Sequence, residues 1–278
     1  MDRKRQAFLL ALPASLALLV FFIIPMVYIL FKTIAENGFS DFVDFFTDPF
    51  YLDILWTTVR VSLISTAVSL VLGYPTAYFM ARTKSRMKKV MIIIILFPFL
   101  VSAVVRSYGW MVLLGTKGIV NQFLLGIGLI SEPLKMLNTE FAVIIGMIHL
   151  LIPYMVLGLL GVLQSIDPNV EYAAYSLGAN PLQTFAKVVF PLSTPGIISS
   201  CVLVFTMSMT SYVTPKLLGG SKFRMMATMV VQEINVSFDW GAAAAISYIL
   251  LAVILVIQLI VTLSTSKYMK RMGGGKNA

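Results

Sequence analysis

A single cysteine, Cys201, and a single histidine, His149, are all that this 278-residue sequence offers among the strongest metal ligands and nucleophiles. One cysteine excludes an intramolecular disulfide and a cysteine-based metal cluster. Charge is scarce too: Asp, Glu, Lys and Arg make up 12% of the chain against 59% hydrophobic residues, whereas a soluble domain is about a quarter charged and about half apolar. Acids are the scarcer sign, and none falls in the middle of an apolar run. No Gly-x-Ser-x-Gly element is present, nor a His/Asp/Glu group at metal-ligand spacing. An intramembrane protease of the Ser–His kind would have to rest on His149 alone. Alternating strands of about ten residues are missing as well, which argues against a transmembrane barrel.

What the chain has instead is long apolar runs and a mean hydropathy of +0.91. Six runs, at 8–31, 55–80, 90–114, 141–163, 196–218 and 242–265, each reach the roughly 20 residues that cross a hydrocarbon core of about 30 Å. The expectation is an all-α polytopic membrane protein, a single domain of six transmembrane helices. The first run is too long for a signal-peptide core and lacks a small-x-small cleavage site, so it reads as a retained span. Pro25, Gly73, Pro75, Pro98 and Pro153 interrupt the runs. Membrane helices tolerate this where neighbours satisfy the freed carbonyls, as kinks or as hinges.

Lys and Arg set the orientation, because cytoplasmic segments carry their excess. With the N-terminus inside, the inner segments hold Arg3, Lys4, Arg5, Arg82, Lys84, Arg86, Lys88, Lys89, Lys187, Lys267, Lys270, Arg271 and Lys276. The outer loops hold fewer than half as many: Lys32, Lys117, Lys135, Lys216, Lys222 and Arg224. Most acids lie outside, Asp41, Asp44, Asp48 and Asp53 among them. Both termini are therefore expected in the cytoplasm. The net charge of +9 belongs to topology and lipid headgroups, and no nucleic acid is needed to explain it.

The cytoplasmic loop between the fourth and fifth spans, residues 165–191, has the punctuation of two short helices. Asp167 can cap the first, with Pro168 at the first helical position, where a missing N–H costs nothing. Gly178 is placed to end it in the left-handed conformation. Asn180-Pro-Leu-Gln183 has the form of a capping box for the second helix, which should stop near Phe190 because Pro191 disfavours helical geometry before it. Ala174 and Gly178, four apart, share a face with Ala173 beside them, and such small residues let another backbone approach.

Tyr172-Ala-Ala-Tyr-Ser-Leu-Gly178, followed ten residues later by Val188-Val-Phe-Pro191, resembles the EAA loop of bacterial ATP-binding-cassette importer permeases. That pattern runs Glu-Ala-Ala, three residues, Gly, nine residues, Ile-x-Leu-Pro. Here Tyr172 stands at the Glu position with Glu171 one residue early, and Val188 and Phe190 replace Ile and Leu. The resemblance extends over nearly the whole chain. Gly73-Tyr-Pro-Thr-Ala-Tyr78, Val105-Arg-Ser-Tyr-Gly-Trp110, Gly118 to Ile130 and Thr214-Pro-Lys-Leu-Leu-Gly-Gly220 are similar to the first membrane subunit of spermidine/putrescine-type systems. It implies the type I importer permease fold in the bacterial inner (cytoplasmic) membrane. The implied partners are a second permease forming a heterodimer, an ABC ATPase homodimer that binds ATP and Mg, and an extracytoplasmic solute-binding protein docking on loops 32–54, 115–140 and 219–241. This chain would bind no cofactor of its own. The implied coupling residues are Glu171, Tyr172, Ala173, Ala174, Leu177, Gly178, Ala179, Asn180 and Pro191.

A polyamine in low dielectric wants carboxylates or aromatic faces, yet the deep charges are basic: Arg60 and Arg106. Candidates for the path are Arg106, Tyr108, Trp110 and Tyr212. Arg106 either packs structurally or takes an anionic group, and the latter would suit an amino acid, opine or aminophosphonate; related systems also carry ferric ion. His149 is expected to make an interhelical hydrogen bond. Met207 and Met209 read as packing, and Cys201 as a small buried residue. An ion-coupled secondary transporter would place acids or broken helices at mid-membrane, and a channel would not need the cytoplasmic loop.

Overall fold

Apolar runs of membrane length become helices because hydrocarbon leaves backbone N–H and C=O groups no partner but each other. The computed structural model describes residues 12–83 and 86–272, and it holds no strand among them. In chain order the helices are α1 (Leu12–Ala35), α2 (Ser40–Thr47), α3 (Pro49–Arg82), α4 (Arg86–Leu100), α5 (Ala103–Leu114) and α6 (Ile119–Gly126). Then follow α7 (Glu140–Ser165), α8 (Pro168–Ser176), α9 (Pro181–Met209), α10 (Val213–Gly219), α11 (Met226–Gln232) and α12 (Trp240–Met272). Helices α1, α3, α7, α9 and α12 are each long and apolar enough to cross a membrane, and Arg86–Leu100 with Ala103–Gly126 passes the same test only as a bent pair. Residues 8–11 of the expected first span lie outside the described residues.

Two expected spans differ. The third, expected as one helix over 90–114, is broken: Arg86–Leu100 and Ala103–Gly126 are bent by 98°. Pro98 withholds an N–H from the preceding turn, and Ser102 leaves helical geometry (ψ 142°) to cap α5, its Oγ accepting the Val104 N–H at 3.3 Å. The fifth, expected over 196–218, starts earlier and ends sooner. Its helix begins at Pro181, runs through Pro191 without stopping near Phe190, and ends at Met209. A π turn over Phe185–Val189 absorbs the proline: Phe190 N–H bonds to Phe185 O, one residue wider than an α turn, and Pro191 then sits in the first turn of the next α segment, where no N–H is required. The second half of the loop expected over residues 165–191 is thus the base of the fifth span's helix.

The core is a three-helix wedge. Met147, Leu151, Met155, Leu159 and Leu163 follow one another every fourth residue on one face of α7, all wholly buried. They meet Val61, Tyr74, Ala77 and Met80 of α3 and Val189, Ile197 and Val204 of α9. Apolar burial drives little association in lipid, so close approach matters more. A methyl on Gly158 would strike Ser200 Oγ, and one on Gly196 would come within 2.6 Å of Val162 Cβ. A second cluster joins Phe45 of α2, Phe205 of α9, Met226 of α11 and Ile246 of α12. Helix α1 lies against α12, where Tyr248 donates to the Met26 carbonyl. No residue of its most apolar stretch is buried, whereas half of those in α7's are.

Candidate functional site

Each cap expected in the loop of residues 165–191 is present. Asp167 Oδ1 accepts the Asn169 N–H at 2.9 Å, which starts α8 with Pro168 in its first turn. Gly178, at φ +87°, ends it. Gly178 N–H bonds to Tyr175 O at 2.9 Å and Ala179 N–H to Ala174 O at 3.1 Å, the paired bonds of a Schellman motif. Gly178 therefore turns the chain rather than prolonging the Ala173–Ala174 face. Asn180 Oδ1 then accepts the Gln183 N–H at 2.8 Å while Gln183 Oε1 accepts the Asn180 N–H at 3.1 Å, so the capping box is reciprocal.

Between the two helices the chain presents an apolar knob. Leu177 is 89% exposed, Leu182 75% and Tyr172 64%. Ala173 and Asn180 are exposed beside them, while Ala174, Ala179 and Pro191 are half-buried. Large apolar side chains thus stand out from a doubly capped elbow.

Glu171 does the opposite. It is 7% exposed and turned toward α3. Tyr78 donates to its Oε2 at 2.8 Å and Arg82 Nε to its Oε1 at 2.6 Å, with Arg82 Nη2 also 2.6 Å from Oε1. Arg82 Nη1 donates to Leu163 O at 3.0 Å and Ile166 O at 3.2 Å, closing the carbonyl end of α7. A groove of about 680 Å³ lies beside this pair, lined by Tyr78, Arg82, Asp167, Tyr172 and Tyr175 among others. Sequence reasoning missed Arg82 and Tyr78 because Arg82 merged into the basic cluster that sets topology. The available signal was their spacing of four, which puts both on one face of α3.

Arg106 and Trp110, two of the path candidates, take different partners. Arg106 Nη1 donates to Pro98 O at 2.8 Å, so this guanidinium bridges the break between α4 and α5. Trp110 Nε1 donates to His149 Nδ1 at 3.0 Å, the expected interhelical bond, which leaves the histidine's proton on Nε2. Phe99 and Tyr154 pack edge to face at 4.7 Å and pin α4 to α7. Tyr108 is exposed, and Tyr212 sits half-buried at the start of α10. Arg60 pairs with Glu140 at the far end of α3 and α7, a link the sequence reading left as two separate charges.

The profile described as "Binding-protein-dependent transport system inner membrane component" matches residues 69–270. The chain belongs to this family. It is 33% identical over 263 residues to the spermidine/putrescine transport system permease protein PotB of Haemophilus influenzae, covering 91% of this chain and 92% of that one. It is 36% identical over 225 residues to PotB of Escherichia coli, covering 81% of each. A bacterial ABC transporter solved in complex with an alginate-bound periplasmic protein has a chain of the same fold, with a TM-score of 0.77 at 19% identity over 99% of this chain and 97% of that one. The permease is accordingly a multi-pass inner-membrane component of an ABC importer, with the elbow of residues 165–191 inside the matched region.

Proposed function

We propose that this permease forms half of the translocation pathway of an ATP-binding-cassette importer for a small organic cation, a polyamine of the spermidine/putrescine type, and performs no covalent chemistry. The observation that carries this reading is the likeness to two PotB proteins, at 33% and 36% identity, along most of the chain. The exposed elbow of Tyr172, Leu177 and Leu182 supports a cytosolic motor at that end.

A second permease completes the pathway, and an ATPase homodimer that binds ATP and Mg grips the elbow from the cytoplasm, where both termini also lie. A solute-binding protein docks on the opposite face. ATP binding closes the ATPase dimer; α8 and the base of α9 carry that motion into the membrane, and hydrolysis resets it. Such coupling needs two conformations of comparable energy, biased by nucleotide at one end and solute at the other.

Tyr108, Trp110 and Tyr212 offer aromatic faces to an amine cation, and the second permease supplies the carboxylates. Arg106 holds the elbow of the broken third span. Its bond to Pro98 O counts against an anionic solute such as an opine, amino acid or aminophosphonate, and among the described residues no carboxylate cluster favours ferric ion. Calorimetry on the cognate binding protein tests the solute class. Polyamines should bind, while tight binding of a phosphonate or amino acid with none of polyamine would overturn it.

A further inference from the structure

Helix α8 is tied covalently to α7 before it and to α9 after it, and its backbone packs chiefly against the base of α9. No covalent link joins it to α3, yet α3 is the helix that interlocks most with α7 in the core. Side chains bridge α8 to α3, and they converge on one carboxylate. Arg82 holds Glu171 Oε1 through Nε while Nη1 takes the last carbonyls of α7, and Tyr78 fills the other carboxylate oxygen. The side chains of Arg82 and Glu171 are 18% and 9% exposed. A planar guanidinium that bonds a carboxylate through Nε and carbonyls through Nη1 fixes direction as well as distance, which a point charge cannot do.

We propose that the Arg82–Glu171 pair is the strut that makes α3 follow the elbow, so that motor movement reaches the second span as well as the fourth and fifth. Glu171 and Arg82 are positioning residues: the acid of the loop works inside the permease, and the docking contacts are left to the exposed knob. This rests on the reading that the elbow binds the ATPase.

The test uses the assembled transporter, both permeases with ATPase and binding protein, in liposomes, and reads solute moved per ATP hydrolysed. E171Q, R82Q and the double variant should each keep the ATPase bound. Transport per ATP should fall about tenfold, within the usual range of coupling energies, and the double should be no worse than the worse single, because partners in one network are not additive. R82K, which keeps charge without the fork, should recover only part, and Tyr78→Phe should give a smaller fall. Unchanged transport per ATP in E171Q, losses that multiply in the double, or release of the ATPase by E171Q would overturn the strut. Should E171Q not assemble, Tyr78→Phe decides, and an unchanged ratio there is equally fatal. Leu177→Glu separates the two ideas: if it leaves the ATPase bound, docking at the elbow fails; if it releases the ATPase while E171Q transports normally, only the strut fails.

Discussion

Replacing Gly178 by Ala and by Arg separates what the elbow does for its own chain from what it does for a partner. Gly178 lies at φ +87°, where an L residue is strained by about 1–2 kcal/mol. A Cβ there meets nothing within 4 Å, so no steric clash inside the chain adds to that strain. The Schellman bonds come from backbone N–H groups that both variants retain. Alanine and arginine should therefore lower the thermal midpoint of the purified permease by the same small amount. The arginine alone places a long charged side chain in the space a docked ATPase would fill, and an unpaired charge in an interface costs about 2–5 kcal/mol, more than tenfold in any equilibrium. Uptake into proteoliposomes, set beside ATP hydrolysis and association with the second permease, reads the difference. Gly178→Ala should transport within a few-fold of the parent. Gly178→Arg should lose most uptake while the membrane subunits still assemble. Normal uptake with Gly178→Arg, or equal losses in both variants, would refute the docking argument.

Four further outcomes follow from the packing. Gly158→Ala should destabilise the chain by about 1–3 kcal/mol through overpacking against Ser200. Gly161→Ala, where nothing lies within 4 Å, should be neutral or stabilising by about 0.5–1 kcal/mol; thermal melts in detergent compare them. Trp110→Phe leaves His149 Nδ1 without its donor and should cost about 0.6–1.7 kcal/mol, the range for hydrogen bonds between membrane helices. Arg106→Leu frees the Pro98 carbonyl and should lower the melting midpoint while the solute concentration for half-maximal ATPase stimulation stays put; a shift in that concentration would place the guanidinium in the path.

The helices and their caps were legible because each has a local signal. Asp167-Pro168, Gly178 and Asn180–Gln183 act within four residues of themselves, and all are found doing what their spacing implies. Two features needed more than local rules. Pro191 reads as a helix stop in isolation, but a π turn upstream lets the helix pass through it. Pro98 reads as a kink, yet the adjoining Ser102 cap converts it into a break. The ion pairs were not legible at all. Arg82 and Glu171 are 89 residues apart in sequence, as Arg60 and Glu140 are 80 apart. Charge counting assigns such residues to a membrane face without pairing them. Glu171 shows the consequence: the resemblance implied a coupling residue, and the fold turns its carboxylate toward α3.

Labelling at the elbow is the most direct trial of the central claim. With Cys201 changed to Ser, Leu177→Cys supplies the chain's only thiol, at the position 89% exposed. A membrane-impermeant maleimide should reach it only from the cytoplasmic side of the bilayer, and only after the ATPase has been stripped away. Reaction from the outer side, or the same reaction rate with the ATPase bound as without it, would contradict the account.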